Sequence, residues 1–177
     1  MIEPELKQRA QQIKLLLLDV DGVLTDGKLY FGNNGEELKA FSILDGHGIK
    51  MLQASGVTVG IVTGRESQLV SNRARELGIE VLIQNCKDKK GAVQHIASNL
   101  KLEPTQIAFM GDDYPDLPAM RSVGLALTVA NAHAVVVSHA HWQSEKCGGA
   151  GAVREACDWL MEIQGTYADA LSKYLSD

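Results

Sequence analysis

Asp19 and Asp21 stand two residues apart at the end of an unbroken leucine run, Leu15 to Leu18. Three later apolar runs also end in residues suited to phosphate or metal. Val57 to Val62 leads into Thr63-Gly64-Arg65, and Ile79 to Ile83 is followed by Lys87-Asp88-Lys89-Lys90. Ile107 to Met110 ends in Gly111-Asp112-Asp113-Tyr114-Pro115-Asp116. Converging carboxylates repel unless a hard cation sits among them, and magnesium takes a few oxygen ligands while keeping waters and a substrate phosphate. One carboxylate can attack phosphorus to give an aspartyl-phosphate. A second can protonate the leaving oxygen and then deprotonate water. Thr63 and Lys89 would hold the equatorial phosphoryl oxygens. Alone, Asp19 and Asp21 also suit a plain turn at a strand end; the other three run ends favour a site.

These side chains must be positioned by a sheet. Leu15 to Leu18 show no polar alternation, which predicts a central strand covered on both faces, and in open parallel sheets ligands collect beyond the carboxyl ends of the strands. Residues 3–12, with Pro4 early, predict a short leading helix. An Asn-Gly signal within 28–43 predicts a β-hairpin flap, its second strand running from Glu37 to Ile43. Asp45-Gly46-His47-Gly48 reads as a loop leading to a helix from Ile49 to Ala54 that ends at Gly56. Residues 67–77 predict a helix, and Val93, Ile96, Ala97 and Leu100 mark the core face of the next. A helix to Val123, a strand from Leu125 to Val129, a short helix, a strand near 140–143 and a helix from Ala152 to Gln164 complete the chain. The alternation predicts a doubly wound α/β fold with a mainly parallel sheet. The expected organisation is one domain over 1–177, without a large cap and with its last helix and tail over about 151–177.

A chain of 177 residues can bury a substantial core, and its net charge of −5 with no Lys/Arg-rich run argues against a nucleic-acid surface. The N-terminus lacks a signal-peptide layout and no run approaches about 18 apolar residues, so a cytoplasmic protein is expected, with no membrane partner. Cys86, Cys147 and Cys157 have no C-x-x-C spacing, so neither a disulfide framework nor a zinc site is expected, and Cys157 falls on a helix face.

In order, Asp-Val-Asp-Gly-Val, Val-Thr-Gly, Lys89 and Gly-Asp-Asp-x-x-Asp resemble the haloacid dehalogenase superfamily of phosphatases. The resemblance implies Asp19 as nucleophile, Asp21 as general acid and base, Thr63 as phosphate ligand and Lys89 as the phosphate-binding lysine. It also implies Mg2+ held by Asp19, the backbone carbonyl of Asp21 and Asp112, with Asp113 and Asp116 supporting from behind. A narrower resemblance covers nearly the whole chain. Asp-Gly-Val-Leu-Thr-Asp-Gly, Asp-Gly-x-Gly-Ile, Thr-Gly-Arg-Glu-Ser, Gly-Asp-Asp-x-x-Asp-x-Pro and Gly-Gly-x-Gly-Ala-x-Arg-Glu are similar to the 3-deoxy-D-manno-octulosonate 8-phosphate phosphatase family. That family implies a role in lipopolysaccharide precursor synthesis and a homotetramer whose hairpins join and whose neighbouring subunits help close each site. It further implies substrate contacts from Thr25, Gly64, Arg65 and Arg154, the last in its own or a neighbour's site. Arg65 can pair with a sugar-acid carboxylate. Relatives acting on 2-keto-3-deoxynonulosonate 9-phosphate tend to place a glutamate there, so Arg65 favours the eight-carbon substrate.

Other features read as structural. His139 and His141 share a face in a strand but lack a third ligand. His47 is a loop histidine or a substrate contact. Gly148 to Gly151 lacks the lysine of a P-loop and reads as a flexible lead to Arg154, itself a substrate contact or an exposed helix start. Two alternatives to the sugar-phosphate phosphatase stay open: a phosphatase of the nine-carbon sugar acid, and a noncatalytic oligomeric module of the same fold. A phosphomutase would need a private cap, for which no insertion is long enough.

Overall fold

The computed structural model describes residues 3–175. Its centre is β1 (Leu15–Leu18), whose four leucines are completely buried. Around it, β4 (Thr58–Val62), β5 (Val81–Ile83), β6 (Ile107–Gly111), β7 (Leu125–Thr128) and β8 (Trp142–Gln143) complete a six-stranded sheet in the order β5-β4-β1-β6-β7-β8. Every pairing in it is parallel. A parallel sheet needs both faces covered, and successive side chains on a strand face opposite sides. Leu16 and Leu18 pack with Ile49 and Leu52 of α2 (Ile43–Ala54), Val70 and Ala74 of α3 (Gln68–Glu76), and Val153, Ala156, Cys157 and Leu160 of α7 (Ala152–Gln164). Leu15 and Leu17 pack on the other side with Val93 and Ile96 of α4 (Lys89–Leu100), Ala119 and Met120 of α5 (Leu117–Met120), and Val136 of α6 (Ala134–Val137). The doubly wound expectation holds.

The flap is a minimal hairpin, β2 (Tyr30–Phe31) with β3 (Glu37–Leu38), so its second strand is much shorter than the expected run to Ile43. Its apolar side chains Leu29, Tyr30, Phe31 and Leu38 are exposed.

Some boundaries differ from expectation for tertiary reasons. Asp45-Gly46-His47-Gly48 is helical rather than a loop, because α2 starts at the Ser42 N-cap, whose hydroxyl accepts from the Asp45 amide at 3.4 Å. Its glycines make room for neighbours: a Cβ on Gly46 would lie 2.2 Å from Arg73 Nη2, and one on Gly48 2.7 Å from Arg154 Cδ. His47 therefore sits on a helix, edge-on to Tyr174 at 5.2 Å. The helix expected to reach Val123 is a 3-10 turn, Tyr114–Asp116, followed by the short α5. The tail from Gly165 continues into α8 (Tyr167–Leu175) after α7. The leading helix is α1 (Pro4–Gln11).

Candidate active site

Parallel register brings the first and fourth expected strand ends side by side. Leu18 pairs with Met110, and the Asp19 amide donates to the Met110 carbonyl at 3.0 Å. Asp19 and Asp112 therefore leave adjacent strands at the same edge. Asp19, Asp112 and Asp116 each offer a carboxylate oxygen within 4.8 Å of the others. Gly22, with φ +102°, permits this closeness, since a Cβ there would stand 2.0 Å from Asp112 Oδ2.

Lys89 enters from the opposite side, as the first residue of α4. A cation at a helix N-terminus opposes the helix dipole, so carboxylates must compensate it. They do: Nζ lies 2.8 Å from Asp19 Oδ1 and 2.5 Å from Asp116 Oδ1, with Lys89 only 6% exposed. Burial pulls the lysine's pKa down, but the charges of Asp19 and Asp116 outweigh it and hold the pKa above its ordinary value. Asp116 is saturated, because its Oδ2 also accepts from the amides of Asp112 at 3.0 Å and Asp113 at 3.3 Å. Asp113 itself is exposed and accepts from the Tyr114 amide at 2.8 Å, bracing the 3-10 turn.

The remaining oxygens fit a cation. Asp112 Oδ1 is buried without a partner, and buried Asp19 Oδ1 meets only the Lys89 ammonium at 2.8 Å. Burial, then the charge of Asp116, pushes the Asp19 carboxyl up to about 6, against the pull of Lys89. Burial followed by Asp19 and Asp116 pushes Asp112 up to about 7. A hard divalent cation among these oxygens would remove that repulsion. Asp112 Oδ1 has no partner and Asp19 Oδ1 only Lys89, whereas Asp116 is engaged in holding both Lys89 and the Asp112 backbone.

Thr63 follows β4 and is buried, its amide donating to Ile83 at 2.9 Å and its carbonyl accepting from Cys86 at 3.0 Å. Its hydroxyl makes no hydrogen bond to another group among the described residues. Gly64 beside it is exposed.

Asp21 turns away from the three-carboxylate group toward the flap. Its carboxylate contacts the Lys39 ammonium and lies 3.9 Å from Arg65 Nε. Arg65 in turn reaches Glu37 at 3.1 Å. Lys39 and Glu37 were missed by sequence reasoning, because a charged Glu-Glu-Leu-Lys stretch in a hairpin resembles a solvated edge. The one available signal was the hairpin's position directly after the aspartates.

Two expected substrate contacts are placed elsewhere. Thr25 is buried, and its hydroxyl accepts from the Gly22 amide at 3.4 Å and the Gly27 amide at 3.3 Å while donating to the Val20 carbonyl at 3.3 Å. It braces the loop that follows Asp21. Arg154 donates from Nε to Asp158 at 2.7 Å and from its backbone to Asp45 at 2.8 Å. It lines a pocket of about 410 Å³ with Trp142 and Trp159, outside the carboxylate site of its own subunit. Gly148 to Gly151 is not a flexible lead. Gly149 donates to the Val23 carbonyl at 3.0 Å, and a Cβ on Gly148 would fall 1.7 Å from the Gly22 carbonyl oxygen. The segment is pressed onto the loop that follows Asp21. His141 accepts the Ala126 amide at 2.8 Å, which leaves His139 and His141 in structural roles.

With this geometry, the likeness to known proteins gains physical meaning. A profile described as haloacid dehalogenase-like hydrolase matches residues 79–154. The 3-deoxy-D-manno-octulosonate 8-phosphate phosphatase KdsC of Salmonella typhimurium is 44% identical over 169 residues, covering 96% of this chain and 90% of the relative. The chain belongs to this phosphatase family, within the haloacid dehalogenase-like hydrolases. Among solved structures, a probable YrbI family phosphatase from Pseudomonas syringae superposes with TM-score 0.96 at 48% identity, covering 99% of both chains. The Moraxella catarrhalis 3-deoxy-D-manno-octulosonate 8-phosphate phosphatase, solved with magnesium, phosphate and KDO, superposes with TM-score 0.94 at 38% identity, covering 96% of this chain and 98% of that one. No helix among the described residues is long and apolar enough to cross a membrane.

Proposed function

We propose that this chain is a magnesium-dependent phosphatase that hydrolyses 3-deoxy-D-manno-octulosonate 8-phosphate to the free sugar acid and phosphate, a step of lipopolysaccharide precursor synthesis. The observation that carries this reading is the meeting of Asp19 and Asp112, at neighbouring strand ends, with Lys89 at the start of α4, in a chain similar over nearly its whole length to phosphatases of that name.

In this reading Asp19 and Asp112, with the backbone carbonyl of Asp21, would hold the cation, which when bound neutralises charge between nucleophile and phosphate. An Asp19 oxygen attacks phosphorus, the ester P–O bond breaks, and its electron pair leaves with the sugar oxygen, which takes a proton from Asp21. Water then attacks the aspartyl-phosphate, gives a proton to Asp21, and phosphate departs from a regenerated Asp19. Thr63, Gly64 and Lys89 hold the phosphoryl oxygens, and the fixed Lys89 needs no rearrangement as charge develops. Arg65 pairs with the sugar-acid carboxylate, for which it must exchange Glu37. The exposed apolar flap supports assembly into a homotetramer whose neighbours shield the site and into which Arg154 can reach.

The test is phosphate release from the eight-carbon substrate, the nine-carbon 2-keto-3-deoxynonulosonate 9-phosphate and hexose phosphates, with and without Mg2+, in wild type and Asp19→Asn. Selective, metal-dependent release that disappears in the variant is expected. Release from the nine-carbon ester alone would move the substrate, and no release by folded protein would overturn the reading.

A further inference from the structure

Lys39 is the anomaly of the flap. Its neighbour Leu38 and the facing Phe31 are 61% and 66% exposed, yet the Lys39 side chain is only 2% exposed. An ammonium is buried at acceptable cost only when it is paired. Here it contacts Asp21 Oδ1 and lies 3.5 Å from Glu37 Oε1. The same Glu37 oxygen lies 3.1 Å from Arg65 Nη2, and Arg65 Nε lies 3.9 Å from the other Asp21 oxygen. Asp21, Lys39, Glu37 and Arg65 thus form a closed ring of alternating charge, half supplied by the flap. An apolar residue at 39 would leave Asp21 facing Glu37 with Arg65 as their remaining cation.

We propose that Lys39 is a positioning residue for Asp21, fixing its carboxyl group from the flap. The inference rests on the reading of Asp21 as general acid and base. When the ester P–O bond breaks and the electron pair goes to the leaving oxygen, the proton moves from Asp21 to that oxygen and Asp21 is left an anion beside an anionic phosphoryl group. Lys39, in contact with Asp21 from the flap, restricts that carboxyl group to one position before the proton is transferred. The same contact holds Asp21 in place for the second step, when it takes the proton of water. Flap and chemistry are thereby joined: a flap held off the body would take that restraint with it.

A lysine that merely fastens the hairpin would affect every substrate alike, whereas one that positions the acid matters most when the leaving oxygen needs a proton. The experiment compares kcat/KM for the primary alkyl ester 3-deoxy-D-manno-octulosonate 8-phosphate with that for 4-nitrophenyl phosphate, whose leaving group departs without protonation. Wild type, Lys39→Met, Lys39→Gln, Lys39→Arg and Asp21→Asn are measured at saturating Mg2+, with thermal melts alongside. Lys39→Met is expected to lose about 100-fold on the alkyl ester and only a few-fold on the aryl ester, with Lys39→Arg recovering part of the loss. Asp21→Asn should show the same selectivity more strongly. Equal losses on both esters for Lys39→Met, with Asp21→Asn still selective, would overturn the proposal alone. Equal losses for Asp21→Asn would overturn the acid assignment and the proposal with it. Should Lys39→Met not fold, the same ratio in Lys39→Gln and Lys39→Arg decides.

Discussion

The two sides of Asp21 are built on opposite principles. Toward the sheet, Asp19, Lys89 and Asp116 are almost completely buried at the ends of strands and a helix, where the surrounding core fixes them. Toward the flap, two very short strands expose Leu29, Tyr30, Phe31 and Leu38 and contribute only Glu37 and Lys39 inward. A rigid sheet edge suits a group that must meet phosphorus at one distance and angle. A small hairpin with an apolar outer surface suits the subunit contacts proposed for it. Reaction chemistry and substrate selection therefore depend on different parts of the chain, and substitutions should separate them.

The largest separation is expected at the nucleophile. Asp19→Asn should lower phosphate release by on the order of 10⁴-fold or more, and near-normal turnover would remove Asp19 from the chemistry. Next, Lys89→Met leaves Asp19 and Asp116 facing each other in the interior, at a cost of about 3 kcal/mol in urea unfolding. A neutral result there would show the sheet side to be less over-determined than its burial indicates.

Cation removal acts on the same side with a pH signature. Asp19 and Asp112 are raised to about 6 and about 7 from an ordinary 3.8, so without a cation the folded chain binds more protons than the unfolded one between these values. That stabilising contribution is full below the unfolded value and is lost as pH rises through the folded values. The melting-temperature gap between magnesium-loaded and chelator-treated protein should therefore widen from about pH 5 to about pH 8. A gap that narrows would mean the carboxylates do not hold the cation.

A smaller effect is expected at Asp45, which burial raises above the usual carboxylate range and whose Oδ1 accepts the Arg154 amide at the start of α7. Asp45→Ala should cost about 1 to 2 kcal/mol by differential unfolding, without changing substrate preference. The smallest stability change belongs to the flap: Phe31→Ser and Leu38→Ser should alter subunit stability by no more than about 0.5 kcal/mol. Sedimentation velocity should nevertheless show the assembly falling apart, and an unchanged sedimentation coefficient would leave the flap without its proposed role.

What the sequence made legible follows the same division. Leu15 to Leu18 announce a central strand because a strand covered on both faces has no polar alternation, and the polar residues that end four such runs gather at one edge through parallel pairing. Asp19, Thr63, Lys89 and Asp112 could be selected because each is anchored by the element it ends or begins. Contacts between distant segments were not legible. Gly46 and Gly48 looked like helix breakers, yet they sit inside α2 because Arg73 and Arg154 occupy the space a Cβ would need. Lys39 looked like surface charge because nothing local reveals that its partner lies across the fold. Thr25 offered a hydroxyl in the right loop, and only the completed loop shows that hydroxyl turned inward to three backbone groups.

The backbone contact of Gly148 and Gly149 on the loop after β1 bears on how the protein is made. The loop carrying Asp21 and Gly22 is synthesised well over a hundred residues before the segment that seals it. A nascent chain that has not reached residues 148–149 also lacks α7, so the catalytic loop is unsealed and one face of β1 is uncovered. Competence should thus arrive abruptly, once this segment and α7 have been added. Chains ending before Gly148 and chains ending after Gln164, released from the ribosome and assayed for phosphate, would show whether activity appears between these points.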